Sequence, residues 1–175
     1  MTELEFCVLG IVWQAGPATA YEIAKPFVES PSSYWSGSAG SIYPLVRRLE
    51  EKGLITGKTV EWNSREKRVF TLTKAGEAEL RGWLSPPFPS TAGAPSYDPI
   101  RTRLTFVEAL PRNARARFIE DAERVVREQL VSLQELYDRR TEEGNKVEAL
   151  ETRGAVHELR ARLRWLREVR KEFAG

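Results

Sequence analysis

Apolar positions in the first half of the chain recur at helical spacing in three separate stretches, and then the period changes to two. Residues 4–14, L-E-F-C-V-L-G-I-V-W-Q, are apolar nearly all round, which predicts a first helix buried on most of its sides. Gly16-Pro17 ends it, and Thr19 is placed to cap a short second helix with Tyr21, Ile23, Ala24 and Phe27 turned inward, up to the stop at Ser30-Pro31. The segment P-S-S-Y-W-S-G-S that follows reads as a loop. In the third stretch Ile42, Leu45 and Leu49 form one stripe, so they face a core while Tyr43, Arg47 and Arg48 point outward. Ser38 and Ser41 are both candidate N-caps. Pro44 is comfortable only in a first turn, so the regular helix begins near Ser41 or an earlier start carries a kink. Gly53 is the expected stop.

From Leu54 to Trp62 the pattern alternates, Asn63-Ser64 signals a turn, and a second alternating run spans Lys67 to Leu72. Thr73 then caps a helix that runs to about Leu84. Helix, helix, helix, hairpin, helix is the order of a winged helix-turn-helix, in which the helix carrying Tyr43 and Arg47 enters the major groove. Residues 85–99 hold five prolines and predict a stiff, non-helical linker. Beyond it the pattern is helical again. A short amphipathic helix spans 100–110 and Pro111 ends it. Asn113 is placed to cap a long helix to about Glu143, with Phe118, Ala122, Val125, Leu133 and Leu136 on a stripe. Gly144-Asn145 breaks it, and Lys146 to Phe173 forms a second long helix with Val147, Leu150, Leu159, Leu163, Leu166, Val169 and Phe173. The predicted fold is therefore mainly α: a winged helix-turn-helix at 1–84, a proline-rich linker at 85–99, and an antiparallel long-helix dimerisation domain at 100–175. Two paired helices each leave a stripe that needs a third partner, which a second chain would supply.

Composition changes this picture in one place. The net charge of the 175 residues is only +2, and residues 1–84 hold 10 basic and 10 acidic side chains. Residues 40–68, however, carry seven basic against four acidic side chains, so the positive excess is local to the third helix and the hairpin. The longest apolar runs are too short to span a bilayer, and no charged n-region with an apolar h-region opens the chain, so no secretory signal is expected. The single Cys7 allows no intramolecular disulfide, which fits a reducing cytoplasm.

Several motifs carry a resemblance to a known family. They are Leu9-Gly10, Gly16-Pro17, Tyr21-Glu22-Ile23, G-S-I-Y-P-L at 40–45, R-R-L-E-E-K-G-L-I at 47–55 and T-L-T-K-A-G at 71–76. Together they resemble the PadR family of bacterial transcriptional regulators, the S-I-Y-P opening being the specific part. Ala20 departs from the glycine usual before Tyr-Glu. The C-terminal half resembles the longer members of that family by architecture more than by motif. The resemblance implies a homodimer that sets two recognition helices and two wings on a palindromic DNA operator. It also implies repression in most members, and release in some by a small aromatic or amphipathic effector.

The residues themselves support contact with double-stranded DNA. Arg47 and Arg48 can reach phosphates or base edges, and an arginine bidentate to guanine is worth about 1–3 kcal/mol of discrimination. Ser41 and Tyr43 offer hydroxyls beside Pro44 at the helix start, which suits backbone phosphates. Arg65, Lys67 and Arg68 near the hairpin tip can reach an adjacent groove. The alternative is that these are solvated charges, Arg48 pairing along its own helix, on a winged helix that binds another protein. Trp13, Tyr21, Tyr34, Trp35 and Trp165 could line an effector pocket or could simply pack a core and interface. No cofactor or metal is expected, because His157 is the sole histidine and Cys7 the sole cysteine, and neither has a ligating neighbour. Cys7 lies on a buried helix, where a thiol is usually inert. The chain shows no Ser-His-Asp set and no glycine-rich phosphate loop, so an enzyme is not expected.

Overall fold

The computed structural model describes residues 1–29, 39–62 and 65–173, with positions 39, 62 and 65 described by their backbone alone. It divides into two compact units, Met1–Ala94 and Pro95–Gly175.

The first unit begins with α1 (Glu3–Ala15), opened by a capping box in which the Thr2 side chain accepts from Glu5 N while Glu5 accepts from Thr2 N. Strand β1 (Ala18–Thr19) leads directly into α2 (Ala20–Glu29). Thr19 Oγ1 accepts from Glu22 N at 3.3 Å and Glu22 accepts from Thr19 N at 2.7 Å, so Thr19 does cap α2, by a second such box. Then come α3 (Ala39–Glu51), β2 (Ile55–Trp62), β3 (Arg65–Leu72) and α4 (Lys74–Leu84). Helix α3 takes the earlier of the two starts allowed by sequence, so Pro44 lies inside it and not in its first turn. It ends in a Schellman motif: Gly53 takes φ +70°, Leu54 N donates to Leu49 O, and Gly53 N donates to Glu50 O. Gly76 is fixed by close approach instead, since a Cβ there would lie 2.0 Å from the Leu54 carbonyl oxygen. The end of α3 and the start of α4 are thus pressed together.

The wing differs from expectation. It is a three-stranded antiparallel sheet in the order β1-β3-β2, because Ala18 and Thr19 pair with Phe70 and Val69. A two-residue strand has too little pattern to be read as alternation. The core around it holds Val8, Leu9, Val12, Ile23, Phe27, Ile42, Leu49 and Ile55, all almost fully enclosed. Tyr21 is not among them. It is 67% exposed, the buried residues of α2 being Ile23, Ala24 and Phe27. Phe6 of α1 and Trp83 of α4 stack with centroids 5.2 Å apart, and Trp83 Nε1 donates to Glu3.

The proline-rich stretch is not wholly irregular: Ser90–Gly93 form one 3-10 turn. In the second unit Asp98 caps α5 (Pro99–Leu104), accepting from Ile100 N and Arg101 N. This helix is shorter than the pattern predicts, and Val107–Ala109 form a separate 3-10 turn. Helix α6 (Arg112–Glu142) starts directly after Pro111, whose carbonyl accepts from Ala114 N and Arg115 N, so Asn113 lies inside it and does not cap it. Gly144, at φ +74°, closes α6, and α7 (Lys146–Phe173) returns. Their seam is Ala122, Val126, Leu163 and Leu166, with Ile119 also buried. Of the expected α6 stripe only Ala122 is buried. Phe118, Val125, Leu133 and Leu136 are half-buried, because the inward face is rotated by one residue toward Ile119 and Val126. On α7, Val147 and Leu150 are exposed rather than enclosed.

Candidate nucleic-acid interface

The buried stripe of α3 comprises Ile42, Leu45, Val46 and Leu49, which orients the opposite face outward. Tyr43 is 42% exposed there, and Ser41, Pro44, Arg47 and Arg48 are exposed with it. The two arginines nevertheless differ. Arg47 has a side chain 83% exposed and, among the described residues, is held by Glu51, one turn on, at 3.1 Å. Such an exposed i,i+4 pair is worth little and yields readily to a phosphate. Arg48 instead points toward Glu5 of α1 at 3.7 Å, and Lys52 reaches the same carboxylate oxygen at 2.9 Å. Glu5 is almost fully buried. The Thr2 amide, reinforced by Lys52 and Arg48, holds its carboxyl below the usual carboxylate range against the opposing effect of burial. Arg48 and Lys52 therefore lean toward the body of the unit.

The wing sorts its cations by face. Arg68 lies two residues from Phe70 on β3 and so shares the face that packs on the core. It pairs with Glu50 of α3 at 2.8 Å and sits 5.8 Å over the Phe70 ring. Lys67, one residue away, is on the other face and exposed, with Glu22 of α2 in its electrostatic neighbourhood. Lys58, directly opposite Val69, shares that outer face and is exposed. Lys58 is part of the local positive excess of residues 40–68, and the alternation that places Arg68 on the core side places Lys58 outward. The Arg65 side chain lies outside the described residues, as do Ser38, Tyr34 and Trp35.

The aromatic side chains proposed for an effector pocket separate into different settings. Trp13 and Tyr21 are 63% and 67% exposed on the first unit, while Trp165 is half-buried against the seam of the second. An open concavity of about 210 Å³ at the α6–α7 turn is lined by Tyr137, Thr141, Lys146, Leu150 and Arg153, none of them predicted. Cys7 is buried and its thiol is pushed up to about 11 by desolvation. His157 is exposed on α7. Among the described residues no helix is long and apolar enough to cross a membrane, and no group of His, Cys, Asp and Glu side chains could hold a metal ion.

Residues 8–82 match the model of the transcriptional regulator PadR-like family. The negative transcriptional regulator PadR of Bacillus subtilis (strain 168) is 29% identical over 142 residues, covering 79% of this chain and 75% of that protein. The crystal structure of Bacillus subtilis PadR in complex with operator DNA superposes with a TM-score of 0.83 at 24% identity, over 98% of this chain and 99% of that one. The same protein in complex with p-coumaric acid gives 0.78 at 22% identity, over 98% and 96%. These superpositions establish a common fold, a winged helix with a long-helix C-terminal region. Residues 8–82 of the chain thus form a domain that matches the PadR-like family of transcriptional regulators.

Proposed function

We propose that this chain is a cytoplasmic, non-enzymatic transcriptional repressor that binds a palindromic DNA operator as a homodimer. The observation that carries the reading is the outward face of α3, where Tyr43 and the weakly held Arg47 stand clear of a helix fixed from behind by four buried apolar side chains. In this reading Arg47 reads base edges or phosphates, Ser41 and Tyr43 contact phosphates beside Pro44, and Arg65, Lys67 and Lys58 reach the flanking backbone from the wing. Two recognition helices would address half-sites about 34–36 Å apart. Support for a dimer comes from the C-terminal unit, where Val131, Val147 and Leu150 are 58%, 76% and 47% exposed. Apolar side chains in solvent on paired helices are what a second copy would cover. Repression and release by a small aromatic effector follow the similar Bacillus subtilis protein, named a negative regulator and crystallised with p-coumaric acid.

The test is binding of the wild type and Arg47→Ala to DNA upstream of the chain's own gene, titrated with salt, alongside light scattering. The expected result is a dimer that binds with steep salt dependence, and a variant at least tenfold weaker with a slope smaller by about 0.9 per lost phosphate contact. No binding at low salt, or a monomer at micromolar concentration, would overturn the corresponding part of the reading.

A further inference from the structure

One carboxylate ties α3 to the wing. Glu50 lies in the last turn of α3, and its Oε1 accepts from two donors on different strands: Gly57 N of β2 at 2.9 Å and Arg68 Nη2 of β3 at 2.8 Å. Strand β2 is the edge of the sheet, so the amide that it gives to Glu50 is not spent on another strand. Phe70 anchors the same place from below, with its ring under the Arg68 guanidinium and itself enclosed in the core. The space is closed. A Cβ at position 57 would lie 2.6 Å from Arg68 Nε and 2.7 Å from Glu50 Oε1, so the contact forms over a bare backbone. Three groups from α3, β2 and β3 thereby meet at one oxygen atom.

Resting on the DNA-binding reading above, we infer that Glu50 is a positioning residue: it latches the wing to the recognition helix through Gly57 and Arg68, and Arg68 serves this latch and not the DNA. The angle between helix and wing decides whether both can engage a duplex at once, and the latch fixes it without touching the nucleic acid. The charges make the inference sharp. Removing an acid beside a phosphate-binding surface ordinarily strengthens binding, and removing an arginine that touches phosphate lowers the salt slope. A latch reverses the first sign and abolishes the second effect.

The experiment compares the full-length wild type, Glu50→Ala, Glu50→Gln, Arg68→Ala and the double variant Glu50→Ala/Arg68→Ala. Gly57 amide exchange is followed by NMR without DNA, and operator binding is titrated with salt. Loss of one charge-assisted contact is expected to speed Gly57 exchange and weaken operator binding by about tenfold in Glu50→Ala. Arg68→Ala is expected to weaken binding similarly with the wild-type salt slope, and the double variant to be no weaker than either single one. Glu50→Gln keeps the acceptor for Gly57, so exchange there stays slow while binding weakens in part; it also stands in should Glu50→Ala fail to fold. Unchanged Gly57 exchange in Glu50→Ala, tighter binding by that variant, or a slope smaller by about 0.9 in Arg68→Ala would each overturn the latch. A wild type that binds no DNA at low salt overturns the DNA-binding reading and the positioning role with it. A wild type that binds, with variants that bind equally well, overturns the positioning role alone.

Discussion

In the N-terminal unit Val8, Leu9, Ile23, Phe27, Ile42 and Leu49 are each wholly enclosed by side chains of that unit. In the C-terminal unit a thin seam of Ala122, Val126, Leu163 and Leu166 joins two helices, and Val131, Val147 and Leu150 stand in solvent. The units also treat a buried acid differently. Glu5 spends both oxygens, one on the Thr2 amide and the other on Lys52 and Arg48. Glu123 is fully buried between α6 and α7, and its Oε2 meets Arg127 and Arg170 while Oε1 has no hydrogen-bond partner among the described residues. Both units enclose individual side chains, Leu166 and Glu123 in the second as fully as Phe27 in the first, but the second encloses fewer of them. The difference teaches that the winged helix is complete as one chain, whereas the helical hairpin presents surface for a second.

The largest expected effect tests that completeness. Leu49→Ala removes a side chain at the centre of the enclosed core, and the loss should be about 2–5 kcal/mol by denaturant unfolding followed by circular dichroism. That loss should not depend on protein concentration. A loss that shrinks as concentration rises would break the comparison, because it would tie the N-terminal core to assembly as well.

A smaller effect is expected from Glu5→Gln, which should cost about 1–2 kcal/mol at neutral pH, given that Lys52 and Arg48 remain partly in solvent. The folded Glu5 carboxyl is held below its ordinary value, chiefly by the Thr2 amide. Its contribution is therefore fully present above the unfolded carboxyl value and is lost as pH falls through the folded one. Acidification should accordingly narrow the gap between wild type and variant. A gap that stays constant as pH falls would show that the Thr2, Lys52 and Arg48 contacts do not depend on the charge.

The smallest effect concerns Cys7, whose thiol titrates near 11 inside the first core. At pH 8 it should resist a thiol reagent for as long as the unit is folded, and react at once in denaturant. Rapid labelling of the native chain would mean that this core opens readily, and would erase the contrast with the hairpin.

The elements most easily read from the sequence were those with a strong local signal. Gly53 and Gly144 stopped their helices where the left-handed region was needed, Thr73 capped α4 by its own hydroxyl, and Ile42, Leu45 and Leu49 set the orientation of α3. Arg68 and Lys67 show how alternation sorts neighbouring cations. Counting from the buried Phe70, Arg68 falls on the core side of the wing, beside Glu50, and Lys67 on the outer side. Strand β1 left no usable trace, since two residues have no period. Asn113 was a sound cap by chemistry, but Pro111 had already fixed the start of α6.

The sequence by itself determined the order of the helices, the winged hairpin, the break near the prolines, and the outward face on which Tyr43 and Arg47 lie. All of these follow from interactions between residues a few positions apart. Only the tertiary structure decided which carboxylate each cation meets. Arg48 and Lys52 answer to Glu5, 43 and 47 positions back along the chain, and Arg68 answers to Glu50 across 18. A charge has the same letter whether it faces solvent or a buried carboxylate. The choice between them is made by elements that meet only when the chain has folded.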